Sequence, residues 1–320
     1  MDTTTEPVFF ENRNKMRLFG ILHRPDSARK DVAIIILSPG IKSRVAPHRL
    51  YVKMAKRFSE MGFCVLRFDP HGIGDSEGEI EERMSADFYG SVQMGRFVSD
   101  TIDAMDWMEK DHGISRFILA GLCGGAITGL LAGAADKRVH SLLGLGIPVV
   151  LDSANIDRNA YITAGQLASL REKYTQKLFK PSAWLRFLTF RSDYRVLLKS
   201  FLVRRRHTAA GYVKPTCVAK TNDNVGMVQQ RDNTNPHFPA AFHRMLSDNR
   251  RILLIFSESD RLYWEYEEKF VQRYPDRYRS YEDRLAVYVT KDANHTFTFS
   301  EWQEDMLRVA ISWLENNYGY

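Results

Sequence analysis

Residues 121 to 125 read GLCGG, set between the apolar run FILA and the small-residue run AITGLLAGAA. Small residues two positions either side of a reactive side chain permit a sharp strand-to-helix turn with strained backbone dihedrals, here at Gly121 and Gly125. Such a turn lifts Cys123 clear of a sheet. The helix that begins at Gly124 then points free amides and its positive dipole end at the sulfur, which favours the thiolate. The same Gly124 amide is placed to stabilise an oxyanion. A glycine-flanked cysteine is by itself more often a packing residue than a nucleophile, so its partners decide the matter. SESDRL puts Asp260 just after one apolar strand, and KDANHTF puts His295 just after the next. Both therefore fall at carboxyl ends of strands, the edge of an open α/β sheet where sites gather. A nucleophile, a base and a carboxylate that orients the base are the parts needed for covalent acyl transfer.

Rival residues lie close by. Glu258 and Asp292 compete with Asp260 for the carboxylate role, and His48 and His71 are further imidazoles. His48 reads as the opening of a helix and His71 as part of a tight turn, with Asp75 and Ser76 as turn and capping residues. Cys64 sits inside an apolar strand as a small buried hydrophobe, and Cys217 has no recognisable partner.

The elements that must position these residues follow from hydrophobic period. Before residue 150 and after residue 250, apolar strands alternate with helical patterns, the mark of a mostly parallel sheet covered on both faces. PVFF and MRLFGILHRP read as an opening antiparallel pair joined through ENRNK. VAIIILSPG, FCVLRFDP, SRFILAG, VHSLLGLGIPVV, RILLIFSES and RLAVYVT read as further strands. HRLYVKMAKRFSEMG, the long stretch GSVQMGRFVSDTIDAMDWMEKD, the small-residue run after Cys123, a segment from about Tyr263 and EWQEDMLRVAISWLENN read as helices. The rhythm breaks between 150 and 250, where helical stretches are followed by a polar run from about Ala209 to Pro239. The expected organisation is a core at 1–149, an insertion over the strand ends at 150–245, and the rest of the core at 246–320.

The order nucleophile, acid, histidine around a G-x-nucleophile-x-G elbow resembles the α/β-hydrolase superfamily. The resemblance covers the first 150 and the last 70 residues. It points to the lid-bearing branch with serine aminopeptidase-like and monoglyceride-lipase-like hydrolases, because FDPHGIGDSEG is similar to its D-x-R-G-H-G-x-S-x-G segment and ANHTF to its histidine loop. The resemblance implies an α/β-hydrolase fold with a helical lid. It assigns Cys123 as nucleophile, His295 as base and acid, and Asp260 as the residue supporting the imidazolium. It also places a second oxyanion amide at Ile41, in the turn Pro39-Gly40-Ile41 that stands where the family has His-Gly-x. No metal or organic cofactor is implied.

The elbow of that superfamily usually holds serine, and three readings of the cysteine compete. The first is hydrolysis of an ester or thioester through an acyl-cysteine, as in the dienelactone hydrolase branch and in acyl-CoA thioesterase relatives. The second is transfer, in which a thioester on Cys123 keeps the acyl group activated toward a non-water acceptor. The third is a binding fold without catalysis, which the retention of both Asp260 and His295 opposes.

Charge and composition narrow the partners. The 320-residue chain is 44% hydrophobic with net charge +6, yet residues 151–250 hold 17 Lys and Arg against 7 Asp and Glu. In WLRFLTFRSDYRVLLKSFLVRRRH, Phe187, Phe190 and Tyr194 recur at helical spacing with Arg204, Arg205 and Arg206 beyond them. An amphipathic lid helix accounts for this pattern. A sharper reading is an aromatic acyl pocket with a cationic rim for the phosphates of coenzyme A, an acidic acyl carrier protein or anionic lipid. No nucleic-acid motif accompanies the charge. With no secretory signal, no apolar run of membrane-spanning length and three scattered cysteines, the expectation is a cytoplasmic protein with reduced thiols. A homodimer is compatible with the sequence, which does not set the oligomeric state.

Overall fold

In the strand Ala33–Leu37 every side chain is buried, and the two-residue period divides them. Ala33, Ile35 and Leu37 enter one apolar cluster, while Ile34 and Ile36 enter another on the opposite face. A strand buried on both faces must be covered by helices on both, and that requirement organises the chain. A computed structural model describes residues 3–29, 31–153 and 233–319.

The strands are β1 (Thr3–Glu11), β2 (Arg17–Pro25), β3 (Ala33–Leu37), β4 (Cys64–Phe68), β5 (Phe117–Leu122), β6 (Val139–Leu145), β7 (Arg251–Ser257) and β8 (Leu285–Thr290). They form one sheet in the order β1-β2-β4-β3-β5-β6-β7-β8. β1 and β2 are antiparallel, as is the β2–β4 pair, and every pairing from β4 to β8 is parallel. The helices are α1 (Leu50–Glu60), α2 (Ser85–Gln93), α3 (Val98–His112), α4 (Gly124–Ala135), α5 (His237–Ser247), α6 (Arg261–Lys269), the short α7 (Pro275–Arg279) and α8 (Ser300–Tyr318). Residues of α3, α4, α5 and α6 bury their apolar sides in one cluster, and those of α1 and α8 in the other. Each large apolar side chain buried this way, such as Phe58 or Phe242, contributes about 1.5–3 kcal/mol.

Two boundaries differ from the sequence expectation. The long helical stretch before β5 is two helices, because Gly95 at φ +104 breaks the run between Gln93 and Val98. The core also resumes well before residue 246. Asn233 onward belongs to the same compact unit as the first part of the chain. α5 buries Phe238, Phe242, Met245 and Leu246 in the core cluster, so the polar run ends at His237. The remainder of the expected lid, 154–232, lies outside the described residues, and with it Phe187, Phe190, Tyr194, Arg204, Arg205, Arg206 and Cys217. Among the described residues no helix is long and apolar enough to cross a membrane.

The two ends of that insertion are tied together. Val150 bridges Thr234, the Leu151 amide donates to the Asn233 carbonyl at 2.8 Å, and the Asn235 amide donates to the Val149 carbonyl at 2.8 Å. Gln93, buried at the end of α2, extends the clamp. Its Nε2 donates to the Val150 carbonyl at 3.0 Å and its Oε1 accepts from the Asp152 amide at 2.7 Å. Asn235 in turn donates to the Gln93 carbonyl at 2.7 Å. Replacing this amide by a hydrocarbon removes one hydrogen bond from each of two backbone groups, the Val150 carbonyl and the Asp152 amide. Gln93→Leu is therefore expected to lower the unfolding free energy by about 2–4 kcal/mol, read as a shift of the urea midpoint at unchanged slope.

Candidate active site

Cys123 sits between β5 and α4 at φ +53, ψ −112, a conformation that a side-chain-bearing residue adopts only under constraint. The neighbours supply that constraint. A Cβ on Gly121 would come within 2.5 Å of the Gly125 backbone, and one on Gly125 within 2.2 Å of the Leu37 carbonyl oxygen. Both positions thus have to be glycine for the helix to fold back this tightly over the sheet. The Cys123 amide donates to the Leu145 carbonyl at 2.8 Å, and the Leu122 amide donates to the Tyr51 hydroxyl at 2.7 Å. Tyr51, fully buried on α1, holds the last residue before the elbow; sequence reading took it only as part of an amphipathic helix.

The loops after β7 and β8 converge on the same edge. The Glu258 amide donates to the Thr290 carbonyl and the Ser259 amide to the Ala293 carbonyl, each at 3.1 Å. This pairing brings Asp260 and His295 face to face, with His295 Nδ1 2.5 Å from Asp260 Oδ2. The other oxygen of Asp260 caps α6 by accepting from the Leu262 amide at 3.3 Å. One carboxylate therefore both starts a helix and meets the imidazole. Gly146, at φ +51, closes the site from the end of β6: a Cβ there would lie 3.5 Å from His295 and 3.6 Å from Asp260 Oδ2. Nothing in the apolar run LGLGIPVV marks it.

The rivals are elsewhere. Glu258 Oε2 accepts from the Asp292 amide at 2.8 Å, so the two competing acids serve one exposed turn. His71 is held by Asp100, with Nδ1 2.7 Å from Oδ2, and Asp100 also accepts from Asn12 at 2.9 Å. His48 stands in a short turn ahead of α1 at φ +55. Ser76 and Asp75 support the segment around buried Asp69: Ser76 Oγ donates to the Asp69 carbonyl at 2.6 Å, and Asp75 pairs with Arg44 at 2.7 Å. Cys64 is buried, and burial pushes its thiol up to about 11.

The turn after β3 lies against the elbow, since a Cβ on Gly124 would be 2.8 Å from the Pro39 carbonyl oxygen. Ser38 ties that turn down by donating to the carbonyls of Gly40 at 3.0 Å and Lys42 at 2.6 Å. Gly40 takes φ +121, and the amides of Ile41 and Gly124 have no hydrogen-bond partner among the described residues. For Gly124 this follows from its place in the first turn of α4, where no intrahelical acceptor exists. Among the described residues no group of three His, Cys, Asp or Glu side chains is arranged to hold a metal ion.

His295 carries the clearest electrostatic signature of the site. Burial alone would lower its pKa, but hydrogen bonds to Asp260 and Cys123, with the negative charge of both, outweigh it and push the value up to about 10. The unfolded chain releases this proton near 6.5. The stabilisation that the charged pair contributes is thus complete below about pH 6.5 and is lost as pH rises through about 10. NMR of ring-labelled histidine is expected to show His295 doubly protonated at neutral pH, with Asp260→Asn lowering its pKa. Titration of the unmodified protein near 6.5 would refute the charged pair.

Comparison with known proteins identifies the fold. Residues 33–202 match the family model described as alpha/beta hydrolase fold. Over 133 residues the chain is 31% identical to the polyketide transferase grgF of a Penicillium species, a stretch covering 39% of each chain. The crystal structure of GrgF from Penicillium superposes with a TM-score of 0.54 at 17% identity, covering 99% of this chain and all of that one. A Pyrococcus furiosus esterase gives 0.55 at 16% identity over 98% and 93%, and a dienelactone hydrolase from Anabaena variabilis gives 0.54 at 13% over 99% of each chain. With its eight-stranded sheet, its elbow and a family match across more than half its length, the chain belongs to the alpha/beta hydrolase fold family.

Proposed function

We propose that this protein is an acyl hydrolase that acts on an ester or thioester through a covalent acyl-Cys123 intermediate. The observation that carries this reading is the line of contacts Cys123–His295–Asp260 at the carboxyl edge of the sheet, with the cysteine held on a strained turn. A histidine held protonated beside a cysteine can assist attack by sulfur and then supply a proton to the leaving group.

In acylation the Cys123 sulfur donates its electron pair to the carbonyl carbon, and the carbonyl π electrons move onto oxygen. That oxygen lies against the Ile41 and Gly124 amides. When the intermediate collapses, the bond to the leaving group breaks and His295 Nε2 gives it a proton. His295 is now neutral, and the thiolate charge that helped to hold its proton is gone. It can therefore act as base, taking a proton from water as the water oxygen attacks the thioester carbon. Expulsion of the thiolate releases the acid and restores the ion pair. Asp260 holds Nδ1 throughout, fixing the ring with Nε2 toward the sulfur.

The likeness to a polyketide transferase favours a second reading, in which an alcohol, amine or carbon nucleophile replaces water in deacylation. Coenzyme A esters and acyl carrier protein are the donors that the basic insertion suits. Incubation with panels of esters and acyl thioesters, acid quenching and intact mass measurement test the proposal. An acyl adduct is expected on the protein and not on Cys123→Ala, whose turnover falls on the order of 10⁴-fold or more. Added acceptors that raise the rate of adduct decay and appear in product identify transfer. Absence of adduct and of turnover with every substrate would leave a binding fold without catalysis.

A further inference from the structure

The face of α2 that looks onto the site is built from Tyr89, Val92 and Gln93, spaced three and four residues apart. Gln93 clamps the stems of the insertion, and Val92 touches the elbow, its Cγ1 lying 3.0 Å from where a Cβ on Gly124 would be. One turn earlier, Tyr89 lies on the neighbouring turn. A Cβ on Gly40 would come 2.7 Å from Tyr89 Cε1 and 3.7 Å from Cζ. The helix therefore spans the two backbone segments whose amides, Gly124 and Ile41, have no partner among the described residues, and it sets the Tyr89 ring against Gly40, the residue before Ile41. Phe88, fully buried with Val92, Ile73 and Phe97, holds α2 in this position.

The Tyr89 hydroxyl makes no hydrogen bond among the described residues, although the ring is half-buried. Burial and the negative charges of Cys123 and Asp152 all raise its pKa, so the phenol keeps its proton and offers it as a donor. The turn it packs against has proline, Pro39, at the position where the family resembled has histidine, so no imidazole donor stands there, and the Ser38 hydroxyl is spent on the Gly40 and Lys42 carbonyls. A hydroxyl without a partner among the described residues, packed on the turn that carries Ile41, is placed to serve acyl transfer.

We propose that the Tyr89 hydroxyl is a third hydrogen-bond donor, with the amides of Ile41 and Gly124, to the substrate oxygen that becomes negative when Cys123 attacks. This rests on the reading of Cys123 as the acylated nucleophile. The phenol keeps its proton throughout: the O–H···O⁻ contact strengthens as the tetrahedral centre forms and weakens as it collapses. Because the contact matters most in the transition state, it acts on kcat more than on KM.

Tyr89→Phe keeps the ring against Gly40 and removes only the donor. The acylation rate with an acyl thioester is expected to fall by about 10²-fold or more, with KM little changed. Alkylation of Cys123 by iodoacetamide creates no oxyanion and should proceed at the rate of the unsubstituted protein. Undiminished acylation in Tyr89→Phe overturns the proposal, and so does an equal loss in alkylation, which would place the effect on the thiolate or the fold. If the unsubstituted protein alkylates at Cys123 but never forms an acyl adduct, the nucleophile reading itself fails and the Tyr89 role falls with it.

Discussion

The backbone at Cys123 is the constraint on which the site depends. A non-glycine residue at φ +53, ψ −112 costs on the order of 1–3 kcal/mol and persists only where its surroundings leave no alternative. Here the surroundings are rigid on every side: the amide bonds to β6, Tyr51 holds the preceding residue, and glycines allow α4 to press on β3 and β5. The strain has a return. It raises the sulfur off the sheet beside the Gly124 amide, which has no partner among the described residues.

Around that fixed point the remaining groups arrive from separate strands. Asp260 comes from the end of β7, His295 from the end of β8, Gly146 from the end of β6 and Ile41 from the end of β3. Parallel strands share one carboxyl edge, so residues far apart in the chain meet there without any further device. The loops after β7 and β8 then bond to each other through Glu258 and Ser259, which makes the imidazole–carboxylate pair a consequence of loop pairing rather than of side-chain search.

The core closes on itself at the base of the insertion. Val150, Leu151, Asn233, Thr234 and Asn235 pair across its base, and Gln93 secures both stems from α2. α2 thus serves two purposes, since the same face carries Val92 against the elbow and Tyr89 against the turn after β3. A segment whose stems close on each other can carry a different composition, here strongly basic, without interrupting the core on either side of it in the chain.

The sheet and its elbow were legible in the sequence because their signals are local. Apolar runs of strand length, helical periodicity and glycines two residues either side of Cys123 each need only a few neighbouring residues to be read. Position after a strand was enough to nominate Asp260 and His295. It could not choose Asp260 over Glu258 or Asp292, because all three follow apolar strands and only the loop pairing shows that the other two bond to each other. Tyr51, Tyr89 and Gly146 carried no local signal at all: a tyrosine on an amphipathic helix and a glycine in an apolar run look the same whether or not they meet a cysteine. The break at Gly95 and the early return of the core at Asn233 were missed for a related reason, since periodicity reports which face is apolar and not what it packs against. The sequence by itself determined the fold class and the chemical types at the strand ends. Tertiary structure alone decided which of them face one another, because that depends on strand order, register and the contacts between loops, none of which is written in any one segment.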